Sequence, residues 1–280
     1  MPRFAANLSF LYPELEFLQR FEAAARDGFT AVEYLFPYPW PAHELSARLQ
    51  ANGLQQVLFN TPAAGTDLTS VAAAWQAGAR GLLCLGQRQL EFEYGISLAL
   101  DYAAALRCPK VHVMAGVLPA GIEPAAVLEL VITRLRWACR QAAERGITLL
   151  IEPINQRDMP GYFLSRQDQA LAILDAVGAA NLQLQMDLYH CQISEGDLSS
   201  KLRRDLPTGR IGHIQIAGVP MRQEPDVGEL NYAYLLPLLD QLGYSGWVGC
   251  EYHPRRGGTP GGTSVGLGWR APWLAQRACA

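Results

Sequence analysis

The chain has 280 residues, a formal net charge of -3 and 50% hydrophobic residues. That much apolar content supports a large core, and the absence of a basic stripe argues against nucleic acid as the main partner. Pro2 and Arg3 lead straight into a strand-like run with no signal peptide before it, and no stretch of ~20 apolar residues offers a membrane span. Cys84, Cys108, Cys139, Cys191, Cys250 and Cys279 contain no CxxC pair, so they read as buried thiols of a cytoplasmic protein.

In chain order, short hydrophobic runs predict strands at Arg3–Ser9, Ala31–Phe36, Gln55–Asn60, Lys110–Ala115, Thr148–Glu152, Gln183–Asp187, Gly212–Ile216 and Val248–Tyr252. Amphipathic runs between them predict helices at Glu14–Asp27, Ala42–Ala51, Gly95–Leu106, Pro124–Arg145, Gln167–Val177 and Tyr232–Leu242. Gly28, Gly53, Gly146, Gly178 and Gly243 stand where helix C-terminal caps belong. Strands alternating with helices imply parallel pairing, and the expected fold is α/β: a single-domain (β/α)8 TIM barrel over residues 1–280. A doubly wound open sheet is the alternative. Its nucleotide-binding forms lose support because no GxGxxG follows the first strand and no GxxxxGK[ST] occurs. The long connection Asn60–Gln89 is expected to lie over the site, and the Gly/Arg-rich segment 255–266 is expected to be mobile.

Four polar side chains coincide with hydrophobic runs. Glu152 closes Ile147–Ile151, Asp187 closes Leu182–Met186, Gln215 lies within Ile211–Ala217, and Glu251 closes Trp247–Cys250. In a parallel barrel such strand ends converge on the face that carries active sites. Strand parity agrees: Leu182, Leu184 and Met186 share one face and Gln183, Gln185 and Asp187 the other. For Gln183 and His213 an interior hydrogen-bond network is the plainer reading. Oxygen ligands alone suit Mg²⁺ or Mn²⁺ better than zinc. Two glutamates can also move a proton between neighbouring carbons, with the metal acting as Lewis acid for the enediolate charge. Among the flanking residues, His190 and Arg222 read as substrate contacts, although Arg222 could instead pair with Glu224 or Asp226 on the surface. Asn7, Asn60, Arg88 and His112 read as further substrate or supporting groups, and Glu33 as part of the rim. No GxSxG nucleophile motif occurs.

Several segments resemble the hydroxypyruvate isomerases, members of the xylose-isomerase-like barrels. They are Met1–Ser9 (MPRFAANLS), Phe29–Pro37 (FTAVEYLFP), Leu58–Pro62 (LFNTP), Val111–Gly116 (VHVMAG), Ile151–Arg157 (IEPINQR), Leu184–His190 (LQMDLYH), Gly212–Ala217 (GHIQIA), Gly228–Tyr232 (GELNY) and Gly243–Tyr252 (GYSGWVGCEY). The resemblance implies interconversion of hydroxypyruvate and tartronate semialdehyde. It implies Glu152 and Glu251 as the proton-transfer pair and Glu152, Asp187, Gln215 and Glu251 as ligands of a divalent metal, Mg²⁺ or Mn²⁺. Related ketose 3-epimerases place a substrate-contacting His and Arg where His190 and Arg222 fall. Two loops depart from the pattern: Ala63–Trp75 is longer, and Pro220–Pro225 carries Met221 and Gln223 in place of Gly and His. A four-carbon acid would need a deeper pocket under those two residues.

The expected partner is a small hydroxy-oxo acid, with no nucleic acid and no membrane; a homo-oligomer is left open. Alternatives on the same barrel are a 2-oxo-tetronate isomerase, a ketose 3-epimerase and a dehydrating lyase. An alternative of another class is a barrel that binds a sugar acid without turning it over.

Overall fold

The computed structural model describes residues 2–275. Its eight strands are β1 Arg3–Asn7, β2 Ala31–Glu33, β3 Gln55–Asn60, β4 Lys110–His112, β5 Thr148–Ile151, β6 Leu182–Asp187, β7 Ile211–Ile216 and β8 Trp247–Cys250. They close in sequence order into a barrel whose recorded pairs are all parallel, with helices between successive strands. The expected (β/α)8 fold is the observed one. Strands covered on both faces tend to be apolar along their length, as LLI of β5 is. β6 and β7 instead set Gln183, Gln185, His213 and Gln215 at every second position, the alternation of a strand with one polar face.

The helices are α1 Arg20–Arg26, α2 Ala42–Ala51, α3 Leu68–Ala74, α4 Gln89–Leu106, α5 Pro124–Ala143, α6 Gln167–Val177, α7 Leu188–Ser194, α8 Leu198–Asp205, α9 Tyr232–Gln241, α10 Gly262–Gly266 and α11 Ala271–Ala275. Only α2 and α6 keep their expected bounds. The run Glu14–Asp27 resolves into a 3-10 turn at Phe17–Gln19 followed by α1. Helix α4 starts six residues before the expected Gly95, within the long connection. Short helices α3, α7 and α8 escape a periodicity search because seven or eight residues make only two turns. The glycine caps behave as expected: Gly178 has φ +69° and its N–H bonds the Leu174 carbonyl, a backbone state that costs other residues strain.

Packing divides the chain into two compact units. One gathers Met1–Tyr34, Arg48–Val57 and Met186–Ala280, as far as they are described; the other Leu35–Ala47 and Leu58–Gln185. The first unit contains the ladder β7–β8–β1–β2, with Gln215 opposite Gly249 and Asn7 opposite Glu33. The second contains β4, β5 and parts of β3 and β6, with Asn60 opposite His112.

The tail of the first unit packs on its own strands. Tyr12 N–H donates to Thr263 Oγ1 at 2.7 Å, Arg270 lies 3.8 Å over the Phe29 ring, and Trp269 meets Phe4 edge-on. The Gly/Arg-rich stretch ends in α10 and begins at Arg255, whose guanidinium pairs with Glu224 and Asp226. Five cysteines are buried free thiols, and Cys279 lies outside the described residues. Among the described residues no helix is long and apolar enough to cross a membrane.

Candidate active site

In the first unit, Asp187 ends β6 and also caps α7. Its Oδ1 accepts the Tyr189 N–H at 2.8 Å, as an N-cap carboxylate does. Its Oδ2 is buried and has no hydrogen-bond donor. Two cationic or potentially cationic atoms stand just beyond hydrogen-bond reach of that oxygen, His190 Nε2 at 3.6 Å and Arg222 Nη2 at 3.8 Å. Burial pushes the Asp187 carboxyl up to about 6, against the opposing pull of Arg222.

Glu251 follows β8. Its Oε1 accepts from Asn7 Nδ2 at 3.3 Å and its Oε2 from Arg222 Nη2 at 2.8 Å. Burial pushes this carboxyl up to about 8; Arg222 works in the opposite direction, and nearby Asp187 and Glu33 add to the rise. Two carboxylates, drawn together and desolvated, therefore hold their protons more tightly than free acids.

Arg222 is presented by an unusual loop. The Val219–Pro220 peptide is cis, and Arg222 itself has φ +52°. The Gly218 N–H bonds the Gln223 carbonyl, and the His253 N–H bonds that of Arg222. The guanidinium lies against Phe10 and Tyr189, 4.9 and 5.0 Å from their ring centroids. Its surface alternative fails because Arg255 occupies both Glu224 and Asp226. Met221, by contrast, is 69% exposed.

Glu33 ends β2 with only 1% exposure. Its carboxylate accepts from Asn7, Gln215 and His213. The interior network expected at His213 is thus present, and Glu33 is its centre, a role the sequence reading missed. Gly249 makes room for it: a Cβ there would stand 2.3 Å from Glu33 Oε1.

In the second unit, Glu152 follows β5 and is 5% exposed. Its Oε2 lies 3.6 Å from His112 Nδ1, and that nitrogen also lies 3.1 Å from Asn60 Oδ1. Two oxygens facing one ring nitrogen assign its hydrogen to Nδ1. Burial pulls the His112 pKa down to about 3, so the ring is neutral and its Nε2, buried with no hydrogen-bond partner, is an acceptor. The Tyr162 hydroxyl fixes the loop after β4 by accepting the Ala115 N–H. Arg88 is engaged elsewhere. It precedes α4 and forks onto Glu91 at 2.6 and 2.5 Å, a pair that holds Glu91 below the usual carboxylate range.

Asp187, His190 and Glu251 each offer a ligand atom, and these lie within 4.8 Å of one another, all buried. The orphaned Asp187 Oδ2 and the proton-hungry Glu251 fit a cation, because a positive charge would satisfy the one and discharge the other. The family model described as xylose isomerase-like TIM barrel matches residues 21–273. The chain belongs to this family. It is 56% identical to the 2-oxo-tetronate isomerase of Cupriavidus necator over 99% of this chain and 100% of that protein. It is 41% identical to the hydroxypyruvate isomerase of Escherichia coli K12, over 98% of this chain and 100% of that one. A solved structure described as AP endonuclease, family 2, from Brucella melitensis superposes with a TM-score of 0.89. It shares 44% identity and covers 98% of this chain and 99% of its own.

Proposed function

We propose that this family member isomerises a short 2-oxo-3-hydroxy acid by moving a proton between C3 and C2, with 2-oxo-tetronate as first substrate and hydroxypyruvate as second. The observation that carries the chemistry is Glu251: buried, raised in proton affinity, and bridged by Arg222 and Asn7. The order of substrates rests on the 56% relative, against 41% for the hydroxypyruvate isomerase. The two acids carry the same C1 carboxylate, C2 carbonyl and C3 hydroxyl, and differ by one CH₂OH on C3, so one proton-transfer pair serves both.

In this reading Glu152 and Glu251 are the pair. One, as carboxylate, takes the C3 proton as the enediolate forms. The other, as acid, delivers a proton to C2 while the C3 hydroxyl proton passes to the C2 oxygen, and both carboxyls return to their starting states by exchange with solvent. Arg222 turns its fork to the substrate carboxylate, and His190 orients the neighbouring oxygens. His112 offers its neutral Nε2 to a substrate hydroxyl and, with Asn60, keeps Glu152 in place; Asn7 does the same for Glu251. Arg88, spent on Glu91, is left out. Glu152, Asp187, Gln215 and Glu251 would hold Mg²⁺ or Mn²⁺, with His190 close enough to share the load. When bound, the cation supplies Lewis-acid polarisation of the substrate oxygens. A merely sugar-acid-binding barrel has no use for two glutamates serving as a proton-transfer pair.

Proton NMR of each acid in D₂O, with Mg²⁺ or EDTA, tests this. Turnover of 2-oxo-tetronate with solvent deuterium at the accepting carbon, lost in Glu152→Gln, is expected. No turnover of either acid by the native chain would reject the proposal.

A further inference from the structure

We propose that Glu33 is the positioning residue of the site: by taking the NH₂ of the Gln215 amide it fixes that amide's sense, with the oxygen as the end a cation would take, and through Asn7 it holds Glu251. The proposal rests on the cation reading above.

An amide side chain has two ends of nearly equal size, and a cation accepts only one of them. Which end faces the site is decided by the partner of the other end. Gln215 Nε2 donates to Glu33 Oε1 at 2.8 Å, and a carboxylate taking N–H donors can only accept. The same oxygen accepts from Asn7 Nδ2 at 3.0 Å, while His213 Nε2 donates to Oε2 at 2.7 Å. Asn7 is fixed at both ends, since its Oδ1 accepts the Ser9 N–H and its Nδ2 reaches on to Glu251 Oε1. One buried carboxylate thus orients a candidate ligand and a candidate proton-transfer residue at once.

Packing shows the position to be built for this group. Gly249 lies opposite Gln215 in the β7–β8 register, and the Glu33 carboxylate fills the space where a side chain at Gly249 would stand. No Lys or Arg pairs with Glu33 among the described residues; its recorded ion-pair partner is His213. A buried carboxylate held mainly by hydrogen bonds is poor value for stability, because apolar replacement of such networks is often neutral. Orientation of ligands is the use that remains, and partners of this kind commonly set metal affinity.

The test uses Mn²⁺ as the probe, titrated by calorimetry into the native chain, Glu33→Gln and the swap Glu33→Gln/Gln215→Glu, with melting curves for each. In Glu33→Gln the new NH₂ competes for the acceptor, the Gln215 amide loses its fixed sense, and Mn²⁺ binding should weaken about 10–100-fold. In the swap, the carboxylate placed at position 215 receives the amide NH₂ from position 33 on one oxygen and still presents the other. Binding should then return to within about threefold of native. A merely structural Glu33 would leave Mn²⁺ affinity in step with the melting temperature and give no rescue. Native-like affinity in Glu33→Gln, or an unrescued swap, overturns the positioning role alone. Failure of the native chain to bind Mn²⁺ overturns the cation reading and this proposal with it. Should Glu33→Gln not fold, the swap is compared directly with native, and binding more than about tenfold weaker overturns the proposal.

Discussion

Two arginines, Arg222 and Arg88, stand in loops expected to face a substrate, and only one is turned to the carboxylates of the site. Arg88 finds Glu91 three residues on, across the first turn of α4, and both its forks are taken by that carboxylate. Arg222 has acids two and four residues away, yet Arg255 removes both, and a left-handed backbone and two aromatic rings turn its guanidinium to Asp187 and Glu251. The contrast teaches that an arginine's role is decided by which carboxylates are already occupied, not by the loop it sits in.

The strongest way to sharpen that contrast is to remove the proposed proton-transfer acids, Glu251 beside Arg222 among them. Glu152→Gln or Glu251→Gln should lower kcat by about 10²–10⁴ with the melting temperature retained, measured by NMR turnover and thermal unfolding. An active, folded variant would take that residue out of the mechanism.

Next in size is Arg222→Met. The cation that lowers Glu251's proton affinity would be gone, so the carboxyl should rise above its present value near 8. If Glu251 must ionise to act, the acid limb of the kcat/KM profile moves to higher pH, and KM rises as the substrate carboxylate loses its fork. An unmoved limb would separate Arg222 from Glu251. Arg222→Lys should recover little, because an ammonium cannot form the bidentate contact.

Cation removal should show a pH signature. Glu251 and Asp187 hold their protons more tightly folded than unfolded, so this contribution favours the fold at low pH and is lost as pH rises through about 6 and about 8. A bound cation offsets that loss. The gain in melting temperature on adding Mn²⁺ should therefore be larger at about pH 8.5 than at about pH 5.5. An equal gain at both would place the cation elsewhere.

The smallest effect belongs to Arg88→Met. Its partly exposed pair with Glu91 is worth about 0.5 kcal/mol, and kcat/KM should change by less than about threefold. A large loss of activity would reverse the comparison and return Arg88 to the substrate.

Much of this was legible before any coordinates. The closure of hydrophobic runs by Glu152, Asp187 and Glu251, and the parity of Leu182–Asp187, are local properties: a strand's side-chain direction repeats every two residues, so pattern alone tells which residues share a face. The apolar runs and glycine caps likewise determined eight strands and the barrel class. Helices α7 and α8 were not legible, because two turns carry too little period. Partnerships were not legible either. That Glu33 gathers Asn7, His213 and Gln215, that Gly249 is bare to admit it, and that Arg255 takes the acids nearest Arg222 depend on contacts between residues 26 to 216 positions apart. Strand pairing and loop closure decide those contacts. A side chain's direction is written in its own neighbourhood, while the atom it meets is set by the tertiary fold.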